Sequence, residues 1–205
     1  MADVTGQQLS DLGEFALARA IAERFAQGEQ VALGPGDDAA EVLFPGGRVL
    51  VSTDLHLDGR HFRRDWMSAQ DIGHKVAAAN LSDINAMGGT ATALTVGLGA
   101  PPDLEVSWVL ELASGIAEEA GLVGASVVGG DLTAADTVVI AVTVLGSAAR
   151  PVLRSGARPG DVLALAGRQG WAAAGLAVLA RGFRSPRAVV DAYKRPAPPY
   201  AEGPV

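Results

Sequence analysis

Phe15, Ala18, Ile21, Ala22 and Phe25 recur at helical spacing, which predicts a first amphipathic helix over residues 11–26. In "RVLVSTD" the period changes to two. Val49, Val51 and Thr53 alternate against Leu50 and Ser52, as in a strand, and the strand delivers Asp54 at its end. Ser68 stands three residues before Asp71, the spacing of a capping box with Asp in place of Glu, and opens a second helix that runs to Met87, where Gly88 and Gly89 stop it. Apolar runs predict strands over 92–98, 126–128 and 137–146. Between the first two lies a helix opened by Pro101-Pro102-Asp103, with Val106, Leu110, Ala113 and Ala117 on one face. After "RSGARPG" come a strand, "DVLALAG", and a helix of small residues, "WAAAGLAVLA". The ending, "KRPAPPYAEGPV", has no periodicity and reads as a linker. This order mixes strand-to-strand and helical connections, so it predicts an α+β (mixed α/β) fold and not a Rossmann domain.

Composition narrows the possibilities. The 205 residues are 49% hydrophobic, enough for a substantial core in one large domain or in one domain and part of another. The formal net charge is −7 and the basic residues are scattered, which leaves no footprint for a nucleic-acid backbone. The absence of cysteine excludes disulfides, thiolate metal sites and a thiol nucleophile, and it suits a reducing compartment, so a cytoplasmic location is expected. The start has neither the basic nor the apolar region of a signal peptide. The most apolar run, "TVVIAVTVLGSAA", is too short to cross a bilayer.

The acids carry the candidate chemistry. On the second helix Ile72, Val76, Ala79 and Asp83 follow one stripe, so a carboxylate falls on the face otherwise turned to the core. A buried carboxylate requires a cation or hydrogen-bond donors. Both readings of Asp83 stand: a ligand, or a last-turn aspartate bonded to neighbouring N–H groups. Asp54 and Asp131 close predicted strands, Asp38 sits in the turn "GPGDDAA", and Ser52 and Thr53 place hydroxyls beside Asp54. Such an all-oxygen set suits Mg²⁺, Mn²⁺ or Ca²⁺ and not zinc. No P-loop is present. "GPGDDA" meets a loose G-x-G-x-x-A, but Pro45-Gly46-Gly47 leaves no room for the crossover helix that a dinucleotide site needs.

Taken together, "LGPGDDAA", "VSTDLHLDGRHF", "AAANLSDINAMGG", "VVGGD" and "RSGARPGD", in this order and at these intervals, resemble the amino-terminal part of the thiamine-monophosphate kinase family, within the aminoimidazole ribonucleotide synthetase superfamily. The resemblance runs from about Gly13 to Pro199. It implies ATP-dependent phosphorylation of thiamine monophosphate to the diphosphate with several Mg²⁺ ions. It also implies a mixed sheet backed by helices, with sheets paired in a homodimer. Carried over by position, Asp38, Ser52, Thr53, Asp54, Asp83 and Asp131 match metal ligands; Gly130, Asp131 and Arg154 match nucleotide contacts; His61 matches a substrate contact. Asp37 is then a turn residue. A site of acids and hydroxyls without a general base is coherent for phosphoryl transfer, which needs positioning and charge compensation above all.

The same resemblance divides the chain into an ATP- and Mg-binding, dimerising domain over 1–148 and the start of a second domain over 149–205. Family members continue into that domain with a Ser-Asp-Gly motif whose acid binds another Mg²⁺, so the ligand set before Val205 is expected to be incomplete and turnover slow. The alternatives are a non-catalytic nucleotide-binding or dimerising module left by truncation, or another ATP-dependent enzyme of the same superfamily, among which aminoimidazole ribonucleotide synthetase matches these motifs less well. Selenophosphate synthetase is disfavoured by the absence of cysteine. His56 and Asp58 depart from the usual substrate-loop pattern, His74 fits none, and Lys75, one turn from Asp71, is expected in a helix-surface ion pair. Trp66, Trp108 and Trp171 are expected to be packing residues.

Overall fold

Helix α1 (Glu14–Ala22) is shorter at both ends than its periodicity predicts, because Gly13 caps it and the chain tightens after Ala22, where Arg24 N–H donates to the Ile21 carbonyl. The computed structural model describes residues 6–11, 13–35, 41–44 and 47–203. Asp38, and the turn around it, lie outside the described residues. A short ribbon of β1 (Val31–Leu33) and β2 (Glu41–Val42) follows, then β3 (Leu50–Leu57) and α2 (Ala69–Ala86). The predicted cap of α2 is present: Ser68 Oγ accepts from the Asp71 N–H at 3.1 Å. The chain continues through β4 (Thr90–Ala100), α3 (Val106–Gly121), β5 (Ser126–Ala134) and β6 (Val139–Ser147).

The four long strands form one mixed sheet in the order β3-β6-β4-β5, with β4 and β5 parallel across the α3 crossover and the β3–β6 and β4–β6 pairs antiparallel. α2 and α3 cover one face. They approach backbone to backbone: a Cβ on Gly73 would fall 2.2 Å from the Leu112 carbonyl oxygen, and one on Gly115 would fall 2.1 Å from that of Gln70. The core closes between them and the sheet, through Ile72, Val76, Leu81 and Ile84 of α2, Val109 and Ile116 of α3, and Leu94, Val127, Ile140, Val142 and Val144 of the strands.

Three strands, β3, β4 and β5, run longer than predicted, and the extensions of β3 and β5 each move a candidate ligand. β6 supplies partners to β3 as far as Leu57, so Asp54 lies inside the strand, opposite Val142, and not at its end. β4 pairs with β5 through Ala134, which places Asp131 in mid-strand opposite Gly97. The "VVGGD" glycines do not break the strand. A Cβ on Gly130 would fall 2.0 Å from the Val96 carbonyl oxygen, so this glycine lets the neighbouring backbone close in.

The sheet's other face is open among the described residues. Pairing puts Thr53, Thr143, Thr95 and Gly129 in one row across it, and Leu55, Ala141, Gly97 and Asp131 in the next. Val51 and Leu55 are 61% and 58% exposed there.

The carboxy-terminal quarter corrects three expectations. "DVLALAG" is not a strand: no described strand pairs with it, and Leu163 is 98% exposed. α4 (Trp171–Ala180) forms as predicted, but a further helix, α5 (Arg187–Lys194), packs on it, burying Val190 and Tyr193. The proline-rich ending is not a loose linker. Tyr200 lies across both core helices, its hydroxyl donating to Glu119 at 2.6 Å and its carbonyl accepting from Asn85 at 2.7 Å. Lys75 makes no pair with Asp71, which instead binds Arg195. Burial pushes Asp71 upward, yet the Arg195 and Ser68 hydrogen bonds hold its carboxyl below the usual range. Lys75 Nζ donates to the Tyr193 carbonyl at 3.2 Å and sits over the Tyr193 ring, and burial lowers its pKa to about 8. His74 joins Glu118 and Glu119 of α3, at 2.8 and 3.0 Å. Trp66 and Trp108 pack against the core, as expected.

Candidate functional site

Strand alternation turns Ser52, Asp54 and His56 of β3 toward α2 and leaves Val51, Thr53 and Leu55 on the open face. On the α2 side Ser52 Oγ donates to Asp83 Oδ2 at 2.6 Å. The stripe that carries Asp83 toward the core therefore ends against a strand hydroxyl, with Asp54 two residues along on the same face. Next to them Asn80, fully buried and one turn before Asp83, uses its amide nitrogen twice, donating to the Val76 carbonyl at 2.8 Å and facing His56 Nε2 at 3.2 Å. Its Oδ1 is buried without a partner. Burial holds the His56 imidazole below its usual pKa, opposed by Asp54.

β3 leads into a tight turn. Arg60 and His61 N–H groups both donate to the Leu57 carbonyl, at 3.2 and 2.9 Å, Gly59 N–H donates to Phe62 at 2.8 Å, and Gly59 takes φ +80°, which glycine adopts without strain. Phe62 is buried beneath the turn while His61 is exposed. The His61 ring accepts from the Leu57 N–H at Nδ1, 3.0 Å, and meets the His56 ring edge-on at 6.0 Å between centroids.

The remaining candidates lie elsewhere. Thr53 Oγ1 is bonded to Thr143 Oγ1 at 2.7 Å on the open face, and Asp131 belongs to that face by register. Gly130 is packed against β4. Arg154 lines an open depression with Arg150, Leu153 and Asp161. Among the described residues no three His, Cys, Asp or Glu side chains group together as a metal site would require. What does come together is Ser52 with Asp83, beside Asp54. Two carboxylates and a hydroxyl fit a hard divalent cation by donor chemistry, with phosphate or water oxygens completing the shell. Sequence reasoning missed His56 and Asn80. The signal was present: His56 continues the Ser52, Asp54 alternation, and Asn80 shares a helix face with Asp83.

The family model of AIR synthase related protein, N-terminal domain, matches residues 36–148. A thiamine-monophosphate kinase of Mycobacterium tuberculosis is 44% identical over 197 residues, covering 95% of this chain and 59% of that protein. One from Bacillus subtilis is 34% identical over 202 residues, covering 94% and 62%. Among solved structures, AaThiL complexed with AMPPCP and TMP superposes with a TM-score of 0.72 at 30% identity, covering 96% of this chain and 63% of that one. The chain thus spans about three-fifths of the length of the curated relatives it matches. The match to residues 36–148, with the mixed sheet and its two covering helices, places this chain in the family of AIR synthase related proteins, as a bearer of their N-terminal domain.

Proposed function

We propose that this chain forms the ATP- and Mg²⁺-binding part of a thiamine-monophosphate kinase, in which a phosphate oxygen of thiamine monophosphate attacks the γ-phosphorus of ATP, giving thiamine diphosphate and ADP. The observation that carries the reading is the Ser52–Asp83 hydrogen bond, which joins the "VSTD" and "NLSD" motifs at one point beside Asp54. The names of the similar proteins support the choice of substrates. In this reading Asp38, Ser52, Thr53, Asp54, Asp83 and Asp131 hold the metal ions, Gly130, Asp131 and Arg154 meet the nucleotide, and His61 meets the substrate. Bound Mg²⁺ would offset the charge of the transferring phosphoryl group. Thr53 and Asp131 stand on the opposite face of the sheet from Asp83, so the reading requires the ligand set to be shared between the two faces and the turn that carries Asp38. Residues 1–148 are the binding and dimerising domain, and 149–205 begin the next.

The open sheet face, with Val51 and Leu55 exposed among threonines and glycines, suits a second copy of this chain. No described helix is long and apolar enough to cross a membrane, in keeping with a cytoplasmic enzyme. Calorimetric titration tests the reading. The chain should bind AMPPCP only with Mg²⁺ present, and thiamine monophosphate more tightly than thiamine. Nucleotide binding indifferent to Mg²⁺ sinks it.

A further inference from the structure

The geometry points to a fixed tautomer at His61: the ring is held with its proton on Nε2 and offers that N–H outward as the donor to the substrate's phosphate, with His56 and Asn80 as positioning residues behind it. This deepens the proposed function and rests on it for the identity of the phosphate.

The lock starts in the backbone. Leu57 and His61 exchange two hydrogen bonds, His61 N–H to the Leu57 carbonyl at 2.9 Å and Leu57 N–H to His61 Nδ1 at 3.0 Å. An Nδ1 that accepts carries no proton, so in the neutral ring the proton sits on Nε2. Among the described residues Nε2 has no hydrogen-bond partner, and the side chain is exposed. A phosphate oxygen accepts from such a group. The same ring is a poor general base at that nitrogen, because its lone pair is turned inward to Leu57.

The wall behind it is ordered by the same reasoning. Asn80 must turn its amide nitrogen to the Val76 carbonyl, since an oxygen there would face an oxygen. That nitrogen then also donates to His56 Nε2, which fixes His56 with its proton on Nδ1. The buried His56 ring stands edge-on to His61, at 82° between planes, and limits the rotation of its ring. Local charge agrees with an anionic ligand. Asp58 of the turn is taken up by Arg64 and Asp65 by Arg63, while Arg60, beside His61, makes no ion pair among the described residues.

Nitrogen-15 NMR of the ligand-free chain reads the tautomer without substrate: His61 should show an unprotonated Nδ1 and a protonated Nε2. The reverse pattern overturns the inference whatever the chain binds. Binding supplies the second arm, using thiamine monophosphate, with thiamine as the control lacking phosphate. His61→Gln places an amide N–H where Nε2 stands and should keep affinity within a few-fold; His61→Asn places it where Nδ1 stands. His61→Asn and His61→Ala should each lose about tenfold or more toward the monophosphate, the scale of one hydrogen bond to a charged group, and nothing toward thiamine. Equal losses for Gln and Asn overturn the donor assignment. His56→Phe should keep the His61 signature, whereas His56→Ala should speed exchange of the Leu57 amide proton; an unchanged amide in the folded His56→Ala chain overturns the positioning role. If the tautomer is as stated but the wild-type chain binds neither monophosphate nor thiamine, the proposed function and the phosphate contact both fall, while the lock stands.

Discussion

Ser52 Oγ donates to Asp83 Oδ2 at 2.6 Å, tying β3, the first long strand of the chain, to the last turn of α2. A hydroxyl committed in this way holds one carboxylate oxygen and leaves the other for a ligand. Asp83→Asn should therefore abolish the rise in melting temperature that Mg²⁺ with AMPPCP gives the wild type, while changing the ligand-free protein little. Ser52→Ala should lower stability by about 1 kcal/mol, the net value of one such bond, and weaken the ligand-induced shift without removing it. Differential scanning calorimetry with and without ligand separates the two effects.

The open face leads to an assembly prediction. Leu55 at 58% exposure and Val51 at 61% stand among small residues that leave the sheet surface low, so a second sheet can approach it. Sedimentation should find a dimer at micromolar concentration, and Val51→Glu with Leu55→Glu should yield a folded monomer. A wild-type monomer at that concentration refutes the sheet-pairing reading.

Much of this architecture was legible in the sequence. Where one face of an element meets the core, its period shows: α2 starts at the Ser68 cap and ends at Met87 as the residues predict. Boundaries failed where pairing, not local propensity, decided them. Nothing in "VVGGDLTA" marks a strand through Ala134, because the partner that sustains it is β4. The tail failed for a related reason: Tyr200 is fixed by Glu119 and Asn85, more than 80 residues away in the chain. The acid motifs were visible, but face was not. Alternation separates Thr53 from Ser52 by one residue and by the thickness of the sheet, and a list of candidate ligands carries no such information.

The helix crossing is a sharp test of the fold. Gly115 has no room for a methyl group, since its Cβ would fall 2.1 Å from the Gln70 carbonyl oxygen, and both elements are backbone. Gly115→Ala should destabilise by at least about 1–3 kcal/mol, the cost of overpacking, despite the better helix propensity of alanine. Gly121→Ala, with nothing within 4 Å, is the control and should change stability little. Gly130→Ala should behave like Gly115→Ala and unfold more easily even without nucleotide, because Val96 occupies the space. Urea midpoints measure all three.

The docked tail predicts an alkaline stability profile with two limbs of opposite sign. Burial lowers Lys75 to about 8 against an ordinary 10.5, so between those values the unfolded chain holds a proton that the folded chain has released. Stability should therefore rise with pH across that window. Burial and the Glu119 hydrogen bond raise the Tyr200 phenol above its ordinary 10.0, so beyond that pH the folded chain keeps a proton that the unfolded chain has lost, and stability should fall. Urea unfolding at pH 7, 9.5 and 11 reads both limbs. Lys75→Met should flatten the rise from 7 to 9.5. Tyr200→Phe should cost about 1–3 kcal/mol at pH 7, because Glu119 stays buried with one partner fewer, and should also weaken the fall above pH 10. A Lys75→Met chain that keeps the full rise would place its source outside this contact.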